Sequence, residues 1–197
     1  MIAKRILDAT VSAVALILLS PLLAFLALWV RIDSPGPAIF RQQRVGLRGK
    51  PFDILKFRSM HVTQDGPEIT ASGDSRISKS GKFLRKYKLD ELPQLWNVLV
   101  GDMSLVGPRP EVPRYVAYWP ADARVEILSM RPGITDPTAL EMFDEASLLA
   151  AAPDPERKYI EELLPLKVAG YLRYARRQNF VSDLLIIVRT VRRSLKG

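Results

Sequence analysis

Asp90 and Glu91 are adjacent carboxylates in a stretch crowded with cations, Arg85-Lys-Tyr-Lys-Leu-Asp-Glu-Leu-Pro93. Two further groupings carry phosphate-binding side chains: Lys56-Phe-Arg-Ser-Met60 and Gly101-Asp-Met-Ser-Leu-Val-Gly-Pro-Arg-Pro110. Paired carboxylates can hold a divalent ion, and magnesium takes one or two together with substrate phosphates. A carboxylate can instead attack phosphorus and form an acyl phosphate. Lys56, Arg58, Arg85 and Arg109 offer donors to phosphate oxygens, arginine in bidentate fashion. Glycines in the 101–110 stretch let backbone amides approach an anion. The same residues also have plainer uses. Acids just ahead of Pro93 suit the opening of a helix, where they complement its dipole, and the cations suit a solvated face. Local spacing leaves both readings open.

Composition narrows the chemistry. The 197 residues hold no cysteine and one histidine, His61. Thiolate metal sites, disulfides, His-based zinc clusters and most Ser–His–Asp arrangements are excluded. Catalysis then rests on carboxylates, lysine, arginine or a bound metal. The length suits one domain with a real core. The net charge of +8 fits nucleic acid, anionic lipid or phosphorylated substrates and does not choose among them.

The elements around these residues begin with an apolar run, Ile6 to Val30, interrupted only by Asp8 and small hydroxyl residues. It is too long for a signal-peptide core, and no small-x-small site follows it. As a straight helix it measures roughly 38 Å at about 1.5 Å per residue, enough to cross a bilayer core. Ser20–Pro21 in its middle predicts a kink, with Ser20 placed to satisfy a carbonyl freed by the proline. Lys4 and Arg5 at one end and Arg31 at the other suit a helix that returns to the side it entered from. Asp33-Ser-Pro-Gly-Pro37 is a boundary, giving residues 1–32 as membrane segment and 33–197 as catalytic domain.

Two short strands are predicted over Ala38–Arg44 and Phe52–Arg58 around a glycine turn. A polar loop runs from Met60 to Ser80, and a helix from Gly81 to Val100 is interrupted near Pro93. Gly101–Pro113 and Arg131–Pro137 read as loops. Helical stretches cover parts of 115–130, 138–150 and 155–177. Phe180 to Lys196 repeats apolar residues at helical spacing with Arg189, Arg192, Arg193 and Lys196 between them, the pattern of an interfacial helix on anionic lipid. Trp29 and Trp119 suit interfacial positions, and Trp96 suits the core. The fold class is helix-rich α+β.

These motifs resemble a known family. Lys56-Phe-Arg-Ser-Met60, the run from Asp90 through Leu-Pro-Gln-Leu-Trp-Asn to Pro110, and Arg131-Pro-Gly-Ile-Thr135 look like the bacterial sugar transferases, the monotopic phosphoglycosyl transferases of polyprenol-linked glycan synthesis. The likeness runs from about Lys4 to Thr135, and it is to the small type, little more than the catalytic domain. It implies that a UDP-sugar binds with Mg2+ and that Asp90 attacks the sugar-bearing phosphate, releasing UMP. Polyprenol phosphate, in most bacteria undecaprenyl phosphate, then takes the phosphosugar. It further implies Glu91 as magnesium ligand, Lys56, Arg85 and Arg109 on phosphate oxygens with Arg58 a weaker candidate, and Pro108-Arg-Pro110 beside the nucleotide. The N-terminal helix is expected to be re-entrant and broken at Ser20–Pro21, with the catalytic domain on the cytoplasmic face of the inner membrane among its phospholipids. Asp136-Pro137 and Glu111 depart from many members, which leaves the sugar open. A non-catalytic basic membrane adaptor gives no reason for the Asp90–Arg109 block, and a nucleic-acid binder lacks motif and stacking platform.

Overall fold

The computed structural model describes residues 2–61, 74–141 and 145–196; most of the polar loop expected over 60–80 lies outside them. Proline at 21 has no amide hydrogen, so the apolar run splits into α1 (Ile2–Leu18) and α2 (Ser20–Asp33). The two meet at 66°. The carbonyl of Ile17, which a proline at 21 cannot bond, accepts the Ser20 hydroxyl at 2.8 Å, as the sequence predicts. Neither helix alone is long and apolar enough to cross a membrane. Their outer faces expose large apolar side chains, among them Ile17, Leu18, Phe25 and Ile32.

The inner face of α1 is polar at its start, and this was not legible as structure in the sequence. Asp8 is buried, accepting the Ser104 hydroxyl at 2.7 Å and the Leu105 amide at 3.2 Å. Arg5 donates to the carbonyls of Val98 and Leu99, which end a helix and lack partners within it. Lys4 pairs with Asp183.

The hairpin is β1 (Ile39–Val45) against β2 (Pro51–Phe57), antiparallel, with Phe40 opposite Lys56. It begins and ends within a residue of the predicted strands. α3 (Lys79–Lys86) packs so closely on the end of β2 that a Cβ at Gly81 would lie 1.9 Å from the Ser59 carbonyl oxygen. Asp33, the last residue of α2, accepts the amide and hydroxyl of Ser80 at 2.8 Å each, tying α2 to the first turn of α3. A 3-10 turn, Leu89–Glu91, precedes α4 (Gln94–Val100). Asn97 of α4 accepts from the Leu55 amide at 3.0 Å and donates to the Asp53 carbonyl at 2.9 Å, so one side chain pins β2 to the helix.

The stretches 101–113 and 131–137, expected as loops, contain β3 (Ser104–Val106) and β4 (Gly133–Thr135), paired in parallel with the helices α5 (Pro113–Val116) and α6 (Ala121–Leu128) between them. Their Gly/Pro content obscured strands of three residues. The glycines there serve the pairing rather than an anion: the Gly107 amide donates to Thr135 and the Gly133 amide to Pro108. A Cβ at Gly133 would sit 2.1 Å from the Gly107 nitrogen.

The remainder is helical: α7 (Pro137–Glu141), α8 (Glu145–Ala150), α9 (Pro155–Lys158), a π-helical turn at Tyr159–Leu163, α10 (Leu164–Arg177) and α11 (Phe180–Lys196). Tyr115, Trp119, Ile127, Leu163, Val168 and Tyr171 form a core between α5, α6 and α10. A second core joins α4, β2, β3 and α11, and a third sets Leu26 and Val30 of α2 against Phe57 and Leu84. The tryptophan expectation is reversed. Trp119 is buried in the first core, whereas Trp96 is 53% exposed, because α4 turns Leu95 and Val98 inward and leaves position 96 outside. α11 buries Asp183 and Ile186 and exposes Phe180, Val181, Leu185 and Val188.

Candidate active site

Lys88 adopts a left-handed backbone, φ 57°, which a side chain disfavours. It turns the chain out of α3 and into the 3-10 turn that carries Asp90 and Glu91. The two carboxylates then face different surroundings. Glu91 accepts from Lys56 Nζ at 3.3 Å and from Arg109 through both guanidinium nitrogens, Nη1 at 3.2 Å. Burial alone pushes its pKa up, but Arg109 and Lys56 outweigh that and hold it well below the usual carboxylate range. Asp90 is 7% exposed, and among the described residues its Oδ1 has no hydrogen-bond partner. Burial, with the neighbouring charge of Glu91, raises its pKa. Lys56 is lowered by burial, partly offset by Glu91. Arg109 is raised by the Glu91 charge. The two adjacent acids are thus driven apart, Glu91 towards its ionised form and Asp90 away from it.

Beside the pair lies a cavity of about 800 Å³. Arg85, Lys88, Glu91 and Arg109 line one part; Leu89, Leu92, Leu95, Ile134 and Leu140 line an apolar wall; Thr190, Val191 and Arg193 of α11 close another side. The structure brings Lys56, Glu91 and Arg109 together and sets Arg85 and Pro110 on the same cavity. Asp90, Lys56 and Pro108 do not line it, and the Pro108 carbonyl is spent on Gly133. Arg58 is not brought to the cluster. It is 3% exposed and donates to the Ser34 carbonyl at 2.6 Å, the Ser34 hydroxyl at 2.9 Å and the Val30 carbonyl at 3.4 Å. Successive strand residues point to opposite faces but every second one shares a face; the strand ends at Phe57, so residue 58 escapes that rule and turns to the end of α2. His61 is exposed and outside the cavity.

Sequence reasoning singled out Glu111 but missed the polar group that surrounds it on the cavity. Glu111 accepts from Arg44 Nη1 at 3.1 Å, from the Val112 amide at 3.0 Å and from the Tyr159 hydroxyl. Lys167 Nζ lies 3.1 Å from that hydroxyl and 3.2 Å from both oxygens of Glu145. The signal was present: Lys167 occupies a position on the apolar stripe Leu164, Val168, Tyr171 of α10, where a solvated lysine does not belong. The π turn that puts Tyr159 on the network left no trace in the sequence pattern. Of the two departures noted above, Glu111 reaches the cavity. Asp136 does not; it caps α7 by accepting from the Ala139 amide at 3.0 Å.

The sequence profile of the bacterial sugar transferases matches residues 1–197. The chain is 39% identical over 194 residues to a UDP-glucose:undecaprenyl-phosphate glucose-1-phosphate transferase of Caulobacter vibrioides, covering 95% of this chain and 68% of that protein. It is 35% identical over 198 residues to a UDP-N-acetylgalactosamine-undecaprenyl-phosphate N-acetylgalactosaminephosphotransferase of Aeromonas hydrophila, covering 98% of this chain and 44% of that protein. A glucose-1-phosphate transferase of Xanthomonas campestris pv. campestris, again named for UDP-glucose and undecaprenyl phosphate, is 37% identical over 98% of this chain and 39% of its own length. The chain therefore spans less than half of the latter two.

Proposed function

This chain belongs to the bacterial sugar transferase family, and on that premise we propose that it moves a sugar 1-phosphate from a UDP-sugar to undecaprenyl phosphate, with release of UMP. The observation that carries the reading is the split pair: a buried, unpartnered Asp90 oxygen beside a Glu91 clamped by Arg109 and Lys56. A carboxylate oxygen with no hydrogen bond has none to break when it attacks. In the proposed reaction an Asp90 oxygen bonds to the sugar-bearing phosphorus, and the bond from that phosphorus to the bridging oxygen of UMP breaks. The phosphosugar stays on Asp90 as an acyl phosphate. A phosphate oxygen of undecaprenyl phosphate then attacks the same phosphorus, freeing Asp90 and giving the undecaprenyl diphosphosugar. Such splitting lets a soluble and a lipid substrate use one site in turn, and the protein contributes position and charge.

Lys56, Arg85 and Arg109 are assigned to phosphate oxygens. Magnesium is part of the proposal. Glu91 supplies one of the one or two carboxylates the ion takes when phosphates complete its shell; it would hold the ion in exchange for a Lys56 or Arg109 contact, and the ion would neutralise diphosphate charge. The bent α1–α2 pair is assigned as a re-entrant membrane segment on the cytoplasmic leaflet, supported by its exposed apolar faces and by the contacts of Lys4, Arg5 and Asp8 that keep its start on the catalytic domain.

The deciding experiment measures UMP release over a panel of UDP-sugars with Mg2+ and undecaprenyl phosphate. Asp90→Asn is expected to abolish release, by at least about 10³-fold, while membrane association persists. Full turnover in that variant would sink the nucleophile assignment.

A further inference from the structure

The cavity is electrically divided. Its phosphate end is lined by Arg85, Lys88 and Arg109 against Glu91, an excess of positive charge suited to a diphosphate. The other end carries Arg44 and Lys167 against Glu111 and Glu145, two charges of each sign. A balanced group has little attraction for phosphate. It is dense in donors and acceptors and suits a neutral ligand with several hydroxyls, each of which gives one hydrogen bond and accepts others. A carboxylate oxygen has room for more than one donor, and the Glu145 side chain, one third exposed, presents its oxygens at the cavity.

We propose that Glu111, Glu145, Tyr159 and Lys167 read the hydroxyl groups of the donor's sugar and so decide which sugar phosphate is transferred. This rests on the UDP-sugar reading above and deepens it. The uracil base is the other neutral part of such a donor, and a base asks for an open aromatic face. The Tyr159 ring does not offer one: the Tyr115 ring lies 4.9 Å from it, and the Lys167 ammonium 4.8 Å from its centre. Tyr87 lines the cavity at the Arg85–Lys88 end instead. The sugar-reading end is also braced for discrimination. Glu111 and Lys167 are each 7% exposed and Tyr159 3%, and the π turn and the Arg44 contact hold the group in one arrangement. A donor lacking a hydroxyl that such a site expects leaves buried polar groups unpaired, which discriminates far more strongly than a missing methylene.

The test uses the full chain in vesicles with Mg2+ and undecaprenyl phosphate. Three quantities are measured: UMP release across UDP-glucose, UDP-galactose and their N-acetylated forms; inhibition by UDP, which has no sugar; and melting temperature. Lys167→Met and Glu145→Gln are expected to lower kcat/KM for the preferred donor about 10- to 100-fold and to flatten the ranking of donors. UDP inhibition is expected to stay within about twofold of wild type, since neither substituted side chain hydrogen-bonds to Lys56, Arg85 or Arg109. Glu145→Gln keeps the shape of a partly exposed side chain and serves where Lys167→Met melts early. Equal loss for every donor, or UDP inhibition weakened in parallel, overturns the proposal. If wild type releases UMP from no donor, the transferase reading fails and takes the proposal with it; if wild type is active and both variants keep its donor ranking, the proposal fails alone.

Discussion

Among single residues, the buried charges divide into those beside the cavity and those that hold the scaffold. Asp136 is 1% exposed, its Oδ2 has no hydrogen-bond partner among the described residues, and burial raises its pKa. A raised folded-state pKa favours the fold fully below the ordinary value of 3.8 and costs stability as pH climbs through the folded value. Asp136→Asn keeps the cap on Ala139 and removes the buried charge. It is expected to melt a few degrees higher than wild type at pH 7, roughly 1 kcal/mol, with the gain shrinking to nothing in acid; calorimetry across pH checks this. Arg58 is the opposite case. Arg58→Met leaves the Ser34 carbonyl without its donor and is expected to cost about 1–3 kcal/mol by denaturant titration. The donor KM of the folded fraction should stay within about twofold, because Arg58 does not reach the cavity.

Elements position these residues through a few polar pins. Asn97→Ala removes both bonds between α4 and β2, expected to cost about 2 kcal/mol and to raise the donor KM as Lys56 loses its register; urea melts and UMP release read the two effects. At this scale the sequence was uneven in what it disclosed. The hairpin was legible because alternation and a glycine turn coincide, and the break at Ser20–Pro21 because proline removes a donor wherever it stands. β3 and β4 were not, since three-residue parallel strands joined by a long crossover have no local periodicity. Asp90, Glu91, Lys56, Arg85 and Arg109 were found through their likeness to a family, and geometry then assembled Lys56, Glu91 and Arg109. Arg58 shared a motif with Lys56 but not a direction. Glu145, Tyr159 and Lys167 come from distant segments, and only the misplaced lysine on α10 hinted at them.

For the whole molecule, the contacts of Lys4, Arg5 and Asp8 at one end of the bent pair and of Asp33 at the other place both ends on one body. Cysteines introduced at Ile2 and at the exposed Val125 should therefore label from the same side of inverted vesicles; labelling from opposite sides would contradict the fold. Flotation with anionic vesicles should fall about tenfold or more on Leu18→Glu, since a charge in hydrocarbon costs at least 2 kcal/mol. The same two-ended attachment has a mechanical corollary. Arg58, which grips the end of α2, is two residues from Lys56, whose strand brings that lysine to Glu91. With both ends held, the V of α1 and α2 is braced against the domain like a strut. On the re-entrant placement proposed above, lipid would thin or thicken around it, and the enzyme would work at one fixed height, with the membrane as the compliant partner.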